Sequence, residues 1–278
     1  MSWDCTLLRA GSFALDGGAM FGLIPRPLWT RLVEPDEKNR IPLQQNCLLL
    51  ESGGRLALIE CGMGSKFNQK LRDIYALEER TVCDALHEIG CDPADISTVI
   101  ISHLHFDHAG GLTRWAADGE TPELCFPNAE IVSQKIEWED AVANKTTMHR
   151  TYLPENLKPV AERVRLVDGE AEILPGIRSL PVPGHTWGQQ AIVVDRAGGG
   201  TLCFTSDVLP TANHAGTTYN MAYDVEPYTN MSSKSDLLSR AAAGGWTLAL
   251  PHEPGEVFVG AEPSSERPGQ HVLSPRGL

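Results

Sequence analysis

The sequence predicts a mixed α/β (α+β) chain in which two sheets face each other and helices cover their outer sides. Three observations predict it. Short apolar strands recur along the chain, a few amphipathic helices are interleaved with them, and hairpin signatures occur in both halves. A length of 278 residues suits one such domain with a well-buried core. No internal repeat or low-complexity linker divides it, so 1–278 is read as a single domain.

Residues 47–51 and 56–60 are apolar runs separated by Ser52-Gly53-Gly54-Arg55, the composition of a tight hairpin turn. Residues 81–89 place Val82, Leu86 and Ile89 on one helical face, and Gly90 stops the helix. Asp92 and Pro93 open a turn, after which 99–102 reads as a short buried strand. Another strand follows at 129–133, with a helix from 134 to 142. Further strands are expected at 164–167, 177–182, 190–194, 201–205 and 247–250, with a helix at 233–243 between the last two. Residues 255–278 are rich in Pro and Gly. There 257–259 reads as an edge strand, and the tail from about 260 is expected to be loosely held.

The chain carries 36 Asp and Glu against 23 Lys and Arg, a formal net charge of -13. No cluster of Lys or Arg offsets it, which argues against a nucleic-acid partner. The N-terminal stretch holds an early Asp4 and no apolar run of signal length. No segment approaches the roughly 20 apolar residues of a membrane helix. A cytoplasmic protein without a membrane partner is the expectation. Cys5, Cys47, Cys61, Cys83, Cys91, Cys125 and Cys203 are scattered, odd in number and free of CxxC spacing, which reads as reduced buried thiols.

The chemistry concentrates after the strand at 99–102. His103, His105, Asp107 and His108 put four potential metal ligands within six residues. His103 and His105 are two apart, so an extended backbone points both side chains the same way. Asp107 and His108 follow as the chain turns toward a helix, and Gly110 and Gly111 let the backbone pass close by. Such a buried gathering would be costly without a metal. One segment of this kind can give two ligands to each of two adjacent ions. A catalytic zinc takes three protein ligands and a water, so further donors are needed. His185, Asp207 and His252 each stand where a strand runs out, the context expected of a site at a sheet edge. His87 on its helix and His271 in the tail read as surface residues. His149 and His214 lie in loops and read little better than surface.

The run from Ser102 to Gly111 resembles the HxHxDH signature of metallo-β-lactamase-fold hydrolases, and His185, Asp207 and His252 match the later ligands in order and context. More narrowly, the chain resembles bacterial quorum-quenching N-acyl homoserine lactonases. The likeness runs through Asp16 to Gly22 with Pro25, Pro27, Leu28 and Trp29, then Phe126 to Ala129, Asp207 to Thr211 and Ala222 to Asp224. The resemblance implies a four-layer αββα sandwich with the site at one edge of the sheets. It implies one metal held by His103, His105 and His185, a second held by Asp107, His108 and His252, and Asp207 bridging the two. It further implies two divalent ions, Zn2+ by preference with Mn, Fe and Co compatible with the same donors. A hydroxide bridging them would attack a lactone or ester carbonyl. Asp107 and Asp207 would be the catalytic carboxylates, Asp107 as proton shuttle.

The chain departs from that pattern at three places. Glu60-Cys61-Gly62 stands where the family has an Asp-Thr-Gly-like turn behind the metal loop. Thr186-Trp187-Gly188-Gln189 follows His185, where many relatives have Pro and then a second His or Ser after the Gly. Pro210 stands where the best-known lactonases have a tyrosine, three residues after the bridging aspartate, which removes one transition-state contact. Tyr219, Tyr223 and Tyr228 follow, each a candidate to reach in or simply to pack. Met20, Phe21, Leu28 and Trp29 form an apolar set that reads as an acyl-chain wall, a core plug or a homodimer contact, and Trp187 as pocket wall or core.

The expected partner is a small-molecule lactone or ester. The alternative among hydrolases is a phosphotriester or arylester hydrolase, since one dinuclear site serves carbon and phosphorus centres. Gln189 and Gln190 stand where glyoxalase-type thioesterases have a further histidine, and His105 stands where di-iron flavoproteins have a carboxylate. The alternative of another class is a metal-binding fold member without catalysis, against which the complete set of seven ligands speaks.

Overall fold

A computed structural model describes residues 1–144 and 150–278. In chain order the strands of the first half are β1 (Asp4–Asp16), β2 (Arg40–Ser52), β3 (Arg55–Ile59), β4 (Thr98–Ile100), β5 (Thr113–Trp115), β6 (Pro122–Leu124), β7 (Glu130–Gln134) and β8 (Val164–Val167). Those of the second half are β9 (Ala171–Leu174), β10 (Ile177–Pro181), β11 (Gln190–Asp195), β12 (Thr201–Phe204), β13 (Thr247–Ala249), β14 (Phe258–Pro263) and β15 (His271–Pro275). One sheet runs β1-β2-β3-β4-β7-β8, the other β15-β14-β13-β12-β11-β10-β9, and β5 and β6 pair apart from both.

The two sheets pack face to face because their central strands, β4 in the first and β11, β12 and β13 in the second, are largely apolar and almost wholly buried. Leu48, Leu50, Ala57, Ile59, Ile100 and Val132 of the first sheet meet Ile177, Ile192, Val194, Leu202, Phe204 and Ala249 of the second. The alternate residues face outward. Cys47, Leu49, Leu58, Val99 and Ile131 pack under Val82, Ala85 and Leu86 of the helix Val82–Glu88 and Ala141 of the helix Lys135–Ala143. Ala191, Val193, Cys203 and Leu248 pack under Leu237, Leu238 and Ala241 of the helix Pro227–Gly244. This is the expected four-layer αββα sandwich. Its central strands read as nearly unbroken apolar runs because both faces are covered.

The expected hairpin is present. Ser52 pairs with Arg55, leaving Gly53 and Gly54 as a two-residue turn with φ of 56° and 78°. The helix at Val82–Glu88 starts from a capping box, Thr81 and Asp84 each accepting from the other's backbone N–H. It ends one residue before Ile89, which is 50% exposed and off the buried face on which the spacing placed it. The last helix begins at Pro227, six residues earlier than expected, because Pro at the first helical position arrives with helical φ.

Several segments differ from the sequence reading, which left out the short strands β5, β6 and β9 and the helix Gln69–Tyr75. The N-terminal strand β1 was not anticipated: its register shifts between Arg9 and Ser12, which interrupts the alternation that marks a strand. The tail from about 260, expected to be loosely held, forms β14 and β15, with Val259 and Ala261 in the outer core of the second sheet. The Pro- and Gly-rich residues between those strands are the hairpin loop. All seven cysteines are free, and no helix among the described residues is long and apolar enough to cross a membrane.

Candidate metal centre

Four strand ends deliver the site. β4 leads into His103 and His105, and the one-turn helix Phe106–Ala109 carries Asp107 and His108. His185 follows β10, Asp207 follows β12 and His252 follows β13. The turn after the cluster depends on two close approaches. A Cβ on Gly110 would collide with the Met63 carbonyl, and one on Gly111 with the Cys61 carbonyl. Lys66 pins the same turn, its Nζ donating to the carbonyls of Gly110 and Thr113.

All seven residues expected from the sequence come together, in two groups: His103, His105 and His185, and Asp107, His108, Asp207 and His252. In the first, His185 Nε2 lies 3.0 Å from His105 Nδ1, with the His103 ring 4.5 Å from that of His105 and 4.9 Å from that of His185. In the second, His252 Nε2 lies 3.2 Å from His108 Nε2, and Asp107 Oδ2 stands 3.6 and 3.8 Å from the same two atoms. Asp207 faces both groups. Its Oδ1 is 3.1 Å from His252 Nε2 and 3.3 Å from His108 Nε2, while its Oδ2 is 3.4 Å from His185 Nε2.

These residues fit divalent ions. Ligands about 2.0–2.1 Å from a tetrahedral zinc stand about 3.3 Å from one another, within the 3.0–3.8 Å range of the separations given above. His103 Nε2 and Asp207 Oδ1 are buried without a hydrogen-bond partner, which an apolar interior does not tolerate cheaply. Burial, reinforced by the neighbouring imidazoles, holds His103 and His105 well below the usual histidine range, leaving them neutral donors. Burial opposes the charge on Asp207, yet His252 and His108 hold its carboxyl well below the usual range.

The imidazoles are oriented from behind. His108 Nδ1 donates to Glu60 Oε2 at 3.0 Å, and Glu60 Oε1 accepts the Ser102 N–H at 2.6 Å. Glu60 is thus the support at the altered Glu60-Cys61-Gly62 turn, held at a strained φ of 67°. His185 Nδ1 donates to Asp224 Oδ1 at 2.9 Å, and His252 Nδ1 to the Gln44 carbonyl at 3.1 Å. Each contact fixes a tautomer and leaves Nε2 for the centre. Asp224→Ala is expected to weaken metal binding by about 10–100-fold, read by competition with a chromophoric chelator. Unchanged affinity would remove Asp224 from the support of His185.

Glu137, absent from the sequence reading, ties the two halves of the site together. Its buried carboxylate accepts from Leu104 N–H at 2.8 Å, Thr186 Oγ1 at 2.6 Å and Tyr152 Oη at 3.3 Å. Leu104 lies between His103 and His105, and Thr186 follows His185. The Tyr152 ring packs 5.2 Å from that of His105.

A cavity of about 320 Å³ opens onto the centre. His105, Asp107, His185, Asp207 and His252 line one part of it, and Leu15, Met20, Phe106, Met221, Tyr75, Tyr223, Arg150 and Thr151 the rest. Asp107 is the carboxylate left partly open to it, its side chain 13% exposed against 5% for Asp207.

The other candidates separate. Of the apolar N-terminal set, Met20 reaches the cavity and Phe21 stacks 5.5 Å from Trp29 in the core, while Leu28 is 46% exposed. Tyr223 lines the cavity, Tyr219 packs edge-on against Phe21, and Tyr228 is exposed. Trp187 is part-buried and donates to Glu226. His214, read as little better than surface, is fully buried. It donates from Nε2 to the Met20 carbonyl at 2.8 Å and accepts from Thr211 at Nδ1, and burial lowers its pKa to about 4. His87 is exposed, His271 lies in β15, and His149 lies outside the described residues.

An N-acyl homoserine lactonase of a Bacillus species is 31% identical over 172 residues, which are 58% of this chain and 62% of that protein. The chain therefore spans less than two thirds of that relative's length. The solved structure of a probable metal-dependent hydrolase from Staphylococcus aureus matches with a TM-score of 0.87 at 26% identity, covering 100% of this chain and 99% of that one. That of AidC, a dizinc quorum-quenching lactonase in complex with a product, matches with a TM-score of 0.80, covering 99% of this chain and 95% of that one. At 18% identity the second likeness speaks for the fold alone. A model described as the metallo-beta-lactamase superfamily matches residues 40–252, a span that holds every one of the clustered His and Asp residues, and the chain belongs to that superfamily.

Proposed function

We propose that the chain is a dinuclear metal-dependent hydrolase that opens the ring of a lactone, with N-acyl homoserine lactones as its substrate class. The observation that carries the reading is the placing of Asp207, whose two oxygens face different groups of imidazoles within 3.1–3.4 Å. One carboxylate shared in this way is what a bridging ligand requires. His103, His105 and His185 would hold one ion, and Asp107, His108 and His252 the other. When bound, the pair, Zn2+ on this donor set, supplies an activated water and a Lewis acid for the carbonyl oxygen.

The chain's own residues do the rest. Three of the imidazoles are fixed in place because their second nitrogens are engaged by Glu60, Asp224 and the Gln44 carbonyl. Asp107, open to the cavity, would take the proton released in the attack and return it to the leaving alkoxide. Leu15, Met20, Phe106 and Met221 offer an apolar wall to an acyl chain and keep bulk water from the centre. The similarity to proteins named as lactonases supports the choice of substrate, and seven free thiols support a reducing, cytoplasmic setting.

The test is turnover by purified, metal-quantified protein of acyl-homoserine lactones of two chain lengths, a simple lactone, an aryl ester and a phosphotriester. Fast, chelator-sensitive opening of the acyl-homoserine lactones with about two metals per chain is expected. A preference for the phosphotriester or aryl ester would overturn the substrate and keep the site. Less than one metal per chain after loading would overturn the mechanism.

A further inference from the structure

Two thiols stand together outside the metal centre. Cys83, on the helix Val82–Glu88, packs against the buried cluster that holds Cys125 and Leu112, and its thiol shares a hydrogen bond with that of Cys125. Cys5, Cys61, Cys91 and Cys203 direct their sulfurs at backbone carbonyls instead, Cys61 at that of His108 at 3.1 Å. Two side chains already turned toward each other meet the first requirement of a disulfide.

The fold holds both in place. Cys125 follows β6, whose pairing with β5 sets Leu124 opposite Thr113 and Glu123 opposite Arg114. Its N–H donates to the Leu112 carbonyl at 3.0 Å. Cys83 is fixed by its helix, which starts from the Thr81–Asp84 capping box. The surroundings set the two sulfurs apart. The bond from Cys83, helped by the Lys66 and Arg114 cations, holds the Cys125 thiol below the usual range against its burial. The same bond, with burial, pushes Cys83 up. Cys125 is therefore the nucleophile of the pair. It keeps 9% of its surface and Cys83 is half-buried, which leaves an approach for a molecule as small as hydrogen peroxide.

We propose that Cys83 and Cys125 form a reversible redox pair, in which a hydroperoxide oxidises Cys125 and Cys83 closes the product to a disulfide. The Cys125 thiolate attacks one peroxide oxygen, the O–O bond breaks, and the departing hydroxide takes up a proton and leaves as water. The Cys83 sulfur then attacks the sulfur of the Cys125 sulfenic acid. The S–S bond forms, the S–O bond breaks, and the oxygen leaves as a second water with the Cys83 proton. A dithiol reductant reverses the bridge by exchange, returning both thiols and becoming a disulfide itself. A transient bridge of this kind suits a reducing compartment. The proposal stands apart from the hydrolase reading above, which uses neither cysteine.

The experiment exposes the metal-loaded wild type to a small excess of hydrogen peroxide, blocks the remaining thiols with iodoacetamide, and maps the cysteines by digestion and mass spectrometry. A Cys83–Cys125 bridge is expected to form at least about tenfold faster than Cys5 or Cys91 is oxidised, because burial raises both of those thiols, Cys5 to about 11. Dithiothreitol is expected to restore both thiols. In Cys83→Ser, which cannot close the bridge, dimedone is expected to label Cys125. In Cys125→Ser, Cys83 is expected to stay reduced over the same time. No bridge in the wild type overturns the proposal, and the wild-type map does not depend on either variant folding. A bridge from either sulfur to Cys61, a bridge between two chains, or a product that dithiothreitol fails to reduce overturns it as well. Dimedone on Cys83 in Cys125→Ser, with none on Cys125 in Cys83→Ser, overturns the assignment of Cys125 as the nucleophile.

Discussion

Asp207→Ala is expected to cut hydrolysis by at least about a thousandfold and to leave the chain with fewer than two metals. No other side chain in the centre presents oxygens to both histidine groups, 3.1 and 3.3 Å from His252 and His108 on one side and 3.4 Å from His185 on the other. Alanine leaves three imidazole nitrogens around an empty volume and removes the charge that offsets two cations. The loss should exceed that of Asp224→Ala, which acts from behind, through the aim of His185 and the loop of Met221 that Asp224 also holds. Asp207→Asn is the sharper companion: it keeps the size and one oxygen but loses the charge and one acceptor, so it should retain more metal than Asp207→Ala while remaining nearly inactive. Elemental analysis and kcat on the best substrate read both. Asp207→Ala with wild-type rate and two metals would dissolve the assignment, because among the described residues no other carboxylate stands within 4 Å of histidines of both groups.

The seven candidate ligands are legible in the sequence because they are distinctive residues in a distinctive place, a strand end or the turn after one. Chemistry and position reinforce each other there. The residues that aim them are not legible. Glu60, Glu137 and Asp224 are single carboxylates in ordinary surroundings, of a residue class that is rarely buried. Glu137 sits in a helix beside Glu139 and Asp140, so its burial is set by Thr186 and Tyr152, partners distant in the chain. The choice among Tyr219, Tyr223 and Tyr228 is hidden for a related reason. A loop has no period, and only the bonds of Ala222, Val225 and Glu226 to other loops decide which ring enters the cavity.

The fold divides in the same way. Strands such as β4 and β12, covered on both faces, announce themselves as apolar runs. β1 is obscured by its register shift and β15 by its half-exposed sequence, because an edge strand needs only one apolar face. His214 shows the opposite error. A lone loop histidine reads as solvated, yet the stack with Phe21 at 4.9 Å and the Met20 carbonyl hold it in the interior as a neutral imidazole.

Glu137→Ala is expected to lower the unfolding free energy of the metal-free chain by about 3–5 kcal/mol. The substitution strands three buried donors, Leu104 N–H, Thr186 Oγ1 and Tyr152 Oη, each costing about 1–3 kcal/mol when unpaired. The full sum is not reached, because removing the carboxylate also ends its own desolvation, the burial that raises its pKa above the usual range. Glu137→Gln separates these contributions. Its amide oxygen can still accept from Leu104 and Tyr152, and its NH2 can donate to Thr186 once that hydroxyl turns round, so less than half the loss is expected. The same carboxylate spaces the loop of His103 and His105 from that of His185, and the alanine variant should therefore also load metal poorly at a temperature where it remains folded. Denaturant unfolding of the metal-free variants, followed by metal titration of the folded fraction, measures both effects. A change below about 1 kcal/mol in Glu137→Ala would mean that the three donors find other partners and that the two loops hold their spacing without it.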